Sequence, residues 1–270
     1  MADAQVRARR RSPLVARLVR KAQRIGDPLI SRLELRASGL ELQSMVPHEQ
    51  RLVLVRHANA LGSPGTVVYD IGAATGKYTS AFANVSSIAH VIAFEPLSES
   101  YVELVRRTRD RPTVLCLQVA LGDENGRFEL RRSTWRDTSS LLPVTDTVRE
   151  EFPAAARIEG VESVRVARLD DLIAEHQLPL PDVIKVDVQG FEDRVIRGGP
   201  SALRAARLCI VEVSFRPLYD GSPLFDDINA LMRELGFQLS GFGDPLKSSV
   251  GVPLQADAVF ERAYALDTAG

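Results

Sequence analysis

Cysteine and long apolar runs are both scarce in this sequence. Its 270 residues include two cysteines, Cys116 and Cys209. Both stand in apolar, strand-like runs without the paired spacing of a metal site, which predicts buried free thiols and a reducing, cytoplasmic location. No apolar run reaches the roughly 18 residues that a spanning helix needs, so we expect none.

An excess of charge of either sign is also missing. Lys and Arg number 34 against 35 Asp and Glu, a formal net charge of −1. This balance gives no reason to expect nucleic acid as a partner. Length and composition are those of a globular protein with one large domain, or one domain and an extension.

The N-terminal segment departs from this balance. Residues 1–36 hold ten Lys or Arg and three acids, a local net charge of +7. Because charges interrupt the apolar run Leu14–Val19, it does not resemble a signal peptide. Two interpretations stay open for the predicted helical extension, residues 1–50: a basic amphipathic helix on an anionic membrane surface, or an arm that packs as a lid or homodimer element.

The main domain, residues 51–265, is predicted to be α/β. Val67–Ile71 reads as a buried strand that enters a turn of small residues, and a helix opens at about Gly76. Further apolar strands alternate with helices, which indicates a parallel sheet covered on both faces. The last two strands have only a loop between them and should pair antiparallel. The predicted strands are 52–55, 67–71, 90–94, 114–117, 182–187, 208–213, 237–242 and 256–261.

Other segments carry weaker predictions. Ser98 is expected to cap a helix over 99–107, Val114–Leu117 to be a buried strand, and 119–123 a loop. Residues 127–131 and 163–168 alternate as short strands. The segment between them, residues 132–160, is polar and irregular, and we expect a substrate-facing loop there because it holds Trp135 beside Arg136, Ser139 and Ser140.

Three ligands compete for the turn at Gly72–Thr79. A phosphate-binding P-loop needs four residues between its glycines and a hydroxyl after the lysine, but three residues separate Gly72 from Gly76 and Tyr78 follows Lys77. A dinucleotide fingerprint needs glycine where Ala74 and Lys77 stand. S-adenosylmethionine needs a small turn and a carboxylate after the second strand for its ribose. Glu95 stands there, although it could instead serve as an N-terminal charge for the next helix.

Four motifs together resemble the FkbM family of S-adenosylmethionine-dependent methyltransferases over residues 65–262. They are Asp70-Ile71-Gly72-Ala73-Ala74-Thr75-Gly76, Phe94-Glu95-Pro96, Ala120-Leu121-Gly122-Asp123 and Ile184-Lys185-Val186-Asp187-Val188-Gln189-Gly190-Phe191-Glu192. The resemblance implies a Rossmann-like class I methyltransferase with a seven-stranded, mostly parallel sheet whose last strand is reversed. Ala74 departs from the family, which usually has Asn there.

The resemblance also implies a set of site residues. The expected cofactor contacts are Asp70, near the methionine ammonium, together with Gly72, Ala73, Gly76, Glu95, Pro96, Ala120, Leu121 and Asp187.

Two mechanisms stay open for the acceptor hydroxyl. In one, Asp187 or Glu192 acts as general base or orients the acceptor, with Lys185 as the buried partner of Asp187. In the other, Asp187 and Glu212 hold a divalent cation. We do not favour a metal, because too few oxygen ligands are visible.

The resulting prediction is an O-methyltransferase that acts on a hydroxyl of a sugar, glycolipid or polyketide-like metabolite. Its expected partners are a small-molecule or glycolipid acceptor and, through the basic N-terminus, a membrane surface. A cofactor-binding module without catalysis is the main alternative, and a nicotinamide-dependent oxidoreductase is a less favoured one.

Overall fold

The computed structural model describes residues 63–134 and 138–262. Its strands are β1 (Thr66–Ile71), β2 (Ile88–Phe94), β3 (Val114–Leu117), β4 (Ala120–Leu121), β5 (Gly126–Ser133), β6 (Ile158–Ala167), β7 (Val183–Val186), β8 (Leu208–Ser214), β9 (Phe237–Phe242), β10 (Leu246–Lys247) and β11 (Pro253–Arg262). Its helices are α1 (Lys77–Ala83), α2 (Ser98–Thr108), α3 (Asp146–Glu151), α4 (Leu169–His176), α5 (Glu192–Gly198), α6 (Pro200–Ala205) and α7 (Phe225–Glu234).

The central sheet has the order β10-β11-β8-β7-β1-β2-β3, and β9 also pairs with β11. Neighbours from β8 to β3 pair in parallel, whereas β11 pairs antiparallel with β8, β9 and β10. The α/β class, the parallel sheet and the reversed last strand are therefore confirmed. The two-residue strand β10 was not predicted. The extension at 1–50, the predicted strand 52–55, Trp135 and Arg136 lie outside the described residues.

Alternation along β1 explains why the sheet is covered on both faces. Tyr69 and Ile71 pack into the larger core cluster, and Val68 packs into a second cluster on the opposite face. All six residues of β1 are buried, as is typical of a central strand in a parallel sheet. No helix within 63–134 and 138–262 is long and apolar enough to span a bilayer.

A second sheet of order β4-β6-β5 covers the carboxyl edge of β2. The predicted strand segments at 127–131 and 163–168 belong to β5 and β6, which pair antiparallel. Two expectations were wrong here. Ala120–Leu121 forms a strand parallel to β6 instead of a loop. The segment 132–160 includes α3, whose Val148 anchors a small apolar cluster.

Two predictions about local structure also need correction. Ser98 is the first residue of α2 and not its cap. The Glu162 carboxylate from β6 accepts hydrogen bonds from the Ser98 N–H at 3.1 Å and from its hydroxyl at 2.5 Å. β3 is an edge strand, so it is only partly buried and Leu115 is exposed. The first error comes from a contact with a residue distant in sequence, and the second comes from the position of β3 at the end of the strand order.

Candidate functional site

A cleft opens where β1, β2 and β7 end and the second sheet begins. Its lining includes eight of the predicted residues: Gly72, Ala73, Glu95, Pro96, Ala120, Leu121, Lys185 and Asp187. The wall opposite the turn comes from Leu130 of β5 and from Ser139, Ser140 and Leu141. The expectation that Ser139 and Ser140 face a ligand site agrees with this position.

The turn after β1 approaches the neighbouring backbone closely. Gly72 has φ +80°, and a Cβ there would lie 1.8 Å from the Asp187 carbonyl oxygen. Only glycine fits this combination of backbone angle and contact. The turn thereby brings β1 and the end of β7 together beneath the cleft.

Three backbone donors of the turn are engaged within the protein. The N–H groups of Gly72 and Ala73 donate to the Phe94 carbonyl at 3.0 Å, and that of Gly76 donates to the Ala73 carbonyl at 2.8 Å. A phosphate-binding loop needs such donors aimed at its ligand. The turn therefore suits a ligand that requires a close backbone approach and carries no phosphate.

Glu95 is buried and joins two parts of the site. Its Oε2 accepts from the Ala74 N–H at 2.8 Å, and its Oε1 accepts from the Leu97 N–H at 2.9 Å. Leu97 caps α2. The carboxylate therefore sits both at the helix start and in the cleft lining. Because each carboxylate oxygen can accept more than one hydrogen bond, contact with a ligand hydroxyl is compatible with both bonds.

Asp187 and Lys185 form a buried ion pair at the end of β7. The Lys185 Nζ donates to the Asp187 Oδ2 at 2.8 Å, and the two side chains are 2% and 26% exposed. Burial opposes ionisation of Asp187. The Lys185 ammonium and hydrogen bonds from Lys185, Glu212 and Gln189 outweigh it and lower the Asp187 pKa. Asp187 is thus an ionised acceptor that faces the cleft.

Asp70 and Gly76 lie outside the cleft lining. Asp70 is fully buried, and its Oδ2 accepts from the Thr79 hydroxyl of α1 at 2.5 Å. Burial raises its pKa, and its Oδ1 has no hydrogen-bond partner within the described part of the chain. A Cβ on Gly76 would lie 2.7 Å from the Leu104 Cδ1, so this glycine allows α1 to pack on α2.

Glu192 and Glu212 also lie outside the cleft lining. The Glu192 carboxylate accepts from the N–H groups of Val188 and Gly190, which closes the loop after β7. Burial raises the Glu192 pKa to about 7. Glu212 lies behind Asp187, and the Gln189 Nε2 donates to both carboxyl groups, at 2.6 and 2.8 Å.

Asp187 and Glu212, the two weak metal candidates, are joined by a hydrogen-bond donor. Within residues 63–134 and 138–262, no three His, Cys, Asp or Glu side chains are grouped so that they could hold a metal ion. The Gln189 Nε2 donates to both carboxyl groups. Gln189 therefore bridges Asp187 and Glu212 through hydrogen bonds.

Three residues of the site carried no site prediction. The Lys185 Nζ lies 4.3 Å above the centre of the Tyr78 ring, which is cation–π geometry. Gln189 bonds both carboxyl groups, and the Tyr219 hydroxyl donates to the Gln189 Oε1 at 2.6 Å. Gln189 stood in a recognised motif and could have been found, whereas nothing in the sequence near Tyr219 points to this contact.

Comparison with known proteins places the chain in a family. Residues 70–239 match the methyltransferase FkbM domain. The chain belongs to the FkbM methyltransferase family, whose members use S-adenosylmethionine. It is 29% identical to the 2-O-methyltransferase NoeI of Sinorhizobium fredii over 60% of this chain and 68% of NoeI. It is 27% identical to the hexuronic acid methyltransferase AglP of Haloferax volcanii over 54% of this chain and 55% of AglP, little more than half of that protein.

A third relative is itself named FkbM. The 31-O-demethyl-FK506 methyltransferase FkbM of Streptomyces tacrolimicus is 28% identical over 71% of this chain and 80% of its own length. The residues of this cleft fit S-adenosylmethionine. They combine a turn that allows close backbone approach, the buried Glu95 carboxylate after β2 and an apolar lining.

Proposed function

We propose that the protein transfers the methyl group of S-adenosylmethionine to a hydroxyl of a sugar, glycolipid or polyketide-like metabolite. One observation carries the proposal: a single cleft joins the Gly72 turn, Glu95 and Asp187. The names of the three relatives agree with it, since two specify methylation of an oxygen and one names a hexuronic acid.

The cofactor end of the cleft is formed by the carboxyl ends of β1 and β2 together with β4 of the second sheet. Glu95 is placed to accept from the ribose hydroxyls, while Gly72 and Ala73 allow close approach of the methionine portion. Pro96, Ala120 and Leu121 supply apolar surface for the adenine. When bound, the cofactor supplies an electrophilic methyl carbon on a sulfonium leaving group. Asp70 and Gly76 act indirectly, by holding α1 in place.

The acceptor end contains Asp187, which we assign as the residue that receives the hydroxyl proton. The O–H group becomes strongly acidic as its oxygen gains a methyl group, so a carboxylate with a lowered pKa is a sufficient base provided that it stays ionised. Lys185 keeps Asp187 ionised. Glu192 acts indirectly. Its carboxylate accepts hydrogen bonds from Val188 and Gly190 and so fixes the loop that carries Gln189.

The nature of the acceptor follows from the wall of the second sheet. Ser139 offers a hydroxyl, and Leu130 and Leu141 offer apolar surface, which suits a glycosylated acceptor with an apolar part. The positive N-terminal segment, residues 1–36, suits contact with an anionic membrane that carries a glycolipid. A cytoplasmic location and a homodimer remain proposals from the sequence alone.

Calorimetric titration with S-adenosylhomocysteine and with NADH tests the cofactor. We expect heat with the first ligand alone, and at least about tenfold weaker binding in Glu95→Gln, because its amide N–H₂ would face the N–H groups of Ala74 and Leu97. Glu99→Gln, in the first turn of α2 but outside the cleft lining, is the matched control. Heat with NADH alone would favour the oxidoreductase alternative.

Turnover separates an enzyme from a cofactor-binding module. Labelled methyl transfer to glucuronic acid and to glycolipid extracts should be detectable with the wild type and lost in Asp187→Asn. We expect the wild type and Asp187→Asn both to bind S-adenosylhomocysteine. We expect EDTA to leave the turnover of the wild type unchanged. Loss of turnover in EDTA, restored by Mg²⁺, would instead support the metal mechanism.

A further inference from the structure

Carboxyl groups from three neighbouring strands meet behind the cleft. Glu212 of β8 lies opposite Asp257 of β11 in the sheet register. Val186 of β7 pairs with Val211 of β8, so Asp187 follows at the level of Glu212. This row of acids lies inside the molecule, where an unpaired carboxylate is costly.

One lysine, Lys185, acts on several of these acids. The Lys185 ammonium acts electrostatically on Asp70, Asp187 and Asp257, and its ion pair is with Asp187. Burial raises the pKa of Asp70, Glu212 and Asp257, and the neighbouring Asp187 charge raises that of Glu212 further. Since adjacent carboxylates cannot all ionise, protons remain on acids other than Asp187.

The hydrogen bonds indicate which of Asp187 and Glu212 carries a proton. Gln189 holds the Asp187 and Glu212 carboxyl groups next to each other, because its Nε2 donates to the Asp187 Oδ1 at 2.8 Å and to the Glu212 Oε2 at 2.6 Å. Two carboxyl groups held this close inside a protein do not both ionise, so one member of the pair is protonated. Asp187 already accepts from Lys185 and Gln189. Glu212 is therefore the protonated member.

Gln189 holds both carboxyl groups in this arrangement. Its Nε2 donates to Asp187 and Glu212, its Oε1 accepts from the Tyr219 hydroxyl, and its carbonyl accepts from the Ser140 hydroxyl at 2.6 Å. The residue has a positive φ of 57°, a strained angle that its surroundings must maintain. The network thus connects the second sheet to the pair.

We propose that Glu212 is a positioning residue whose protonated carboxyl donates to Asp187 and, with Gln189, fixes the Asp187 carboxylate toward the acceptor hydroxyl. The role of Asp187 in this statement rests on the proposed function, whereas the shared proton does not. Glu212 itself lies behind Asp187 and does not line the cleft.

The variant Glu212→Gln isolates the proton. A glutamine keeps an oxygen that accepts from Gln189 and an N–H₂ group that donates to Asp187, so it mimics protonated Glu212 at every pH. Glu212→Leu removes both bonds. Asp257→Asn is the matched control, because it changes the acid directly opposite in the register and leaves the Asp187–Glu212 bond in place.

Thermal unfolding against pH measures the titration without any acceptor. Because the folded-state pKa of Glu212 is raised, its protonated carboxyl contributes to the stability of the folded wild type. This contribution is fully present below the unfolded-state pKa and is lost as the pH rises toward the folded-state pKa. The variant Glu212→Gln does not titrate at this position, so its stability does not change with pH for this reason. We expect the Tm of Glu212→Gln minus that of the wild type to increase from pH 5 to pH 8, by about 3 °C or more. The other acids and tyrosines that face Glu212, namely Asp187, Glu192, Asp257 and Tyr219, are present in both proteins, so their contributions cancel in the difference.

Isotope-edited infrared spectroscopy supplies the second readout. With labelled glutamate carboxyls at pH 8.5, where Glu192 with its pKa of about 7 is mostly ionised, a protonated-carboxyl stretch should appear in the wild type and in Asp257→Asn. It should disappear in Glu212→Gln. An unchanged band in Glu212→Gln, or a Tm difference that falls with rising pH, would show that Glu212 is ionised and overturn the proposal.

Binding of S-adenosylhomocysteine keeps the two proposals separate. Glu212→Gln should bind it like the wild type, with turnover within a few-fold, while Glu212→Leu should lose turnover and keep the cofactor. If Glu212→Gln is inactive although its Tm and infrared results are as expected, the positioning role is overturned. If the wild type binds no S-adenosylhomocysteine, the proposed function fails, and the infrared result still decides the shared proton.

Discussion

Gly72 is the residue at which conformation and contact both require the absence of a side chain. Gly72→Ala should lower the free energy of unfolding by about 3 kcal/mol or more, because the methyl group would meet a backbone carbonyl and φ is positive. Gly221→Ala is the matched control, since its φ is +75° with nothing within 4 Å of the new methyl, and it should cost about 1 kcal/mol. Urea unfolding measures both. Equal losses would show that the contact with Asp187 does not matter.

Glu192 makes a prediction about pH. Because burial raises its folded-state pKa to about 7, the wild type should lose stability relative to Glu192→Gln as the pH rises from about 4.5 to 7. The loss should be at most about 3 kcal/mol. The comparison uses the slope with pH, since the amide also changes the bonds to Val188 and Gly190. Parallel pH curves in urea unfolding would mean that Glu192 does not titrate in this range.

At the scale of elements, Ser140 connects the second sheet to the loop after β7. Its hydroxyl donates to the Gln189 carbonyl and accepts from the Leu142 N–H at 3.0 Å. Ser140→Ala should lower stability by about 1–2 kcal/mol and increase amide exchange over residues 139–144. Ser139→Ala is the matched control, because the Ser139 hydroxyl accepts from Ser133 within the same sheet region. Similar exchange in both variants would contradict a connecting role for Ser140.

At the scale of the whole molecule, the basic segment 1–36 predicts binding to anionic membranes. The full chain should sediment with vesicles that contain phosphatidylserine and not with neutral vesicles, and 0.5 M salt should release it. Replacing Arg7, Arg9, Arg10 and Arg11 by Gln should weaken binding at least about 100-fold, since each charge contributes about 1 kcal/mol near such a surface. Equal binding by the variant would leave the arm as a lid or dimer element.

The sequence predicted those parts of the structure that depend on local pattern. Runs such as 67–71 and 208–213 are apolar enough to identify central strands. Gly72, Glu95 and Asp187 each stand where a strand ends, and the parallel sheet brings such positions to one edge. Contacts across the sheets follow no local pattern. The pairing of β5 with β6, Glu162 at the start of α2, and Tyr219 on Gln189 join residues 25 or more positions apart, and no periodicity in the sequence indicates them.

The division of the cleft between two sheets has a consequence for how the protein changes over evolution. The turn and the carboxylates belong to the central sheet, whereas Leu130 and Ser139–Leu141 belong to the second sheet and the segment after it. Ser140 is bonded to the Gln189 carbonyl in the loop after β7. It is therefore substitutions at Leu130, Ser139 and Leu141 that leave the packing of β1, β2 and β7 intact. New acceptors can therefore be recruited by exchanging one wall, while the cofactor half is inherited unchanged.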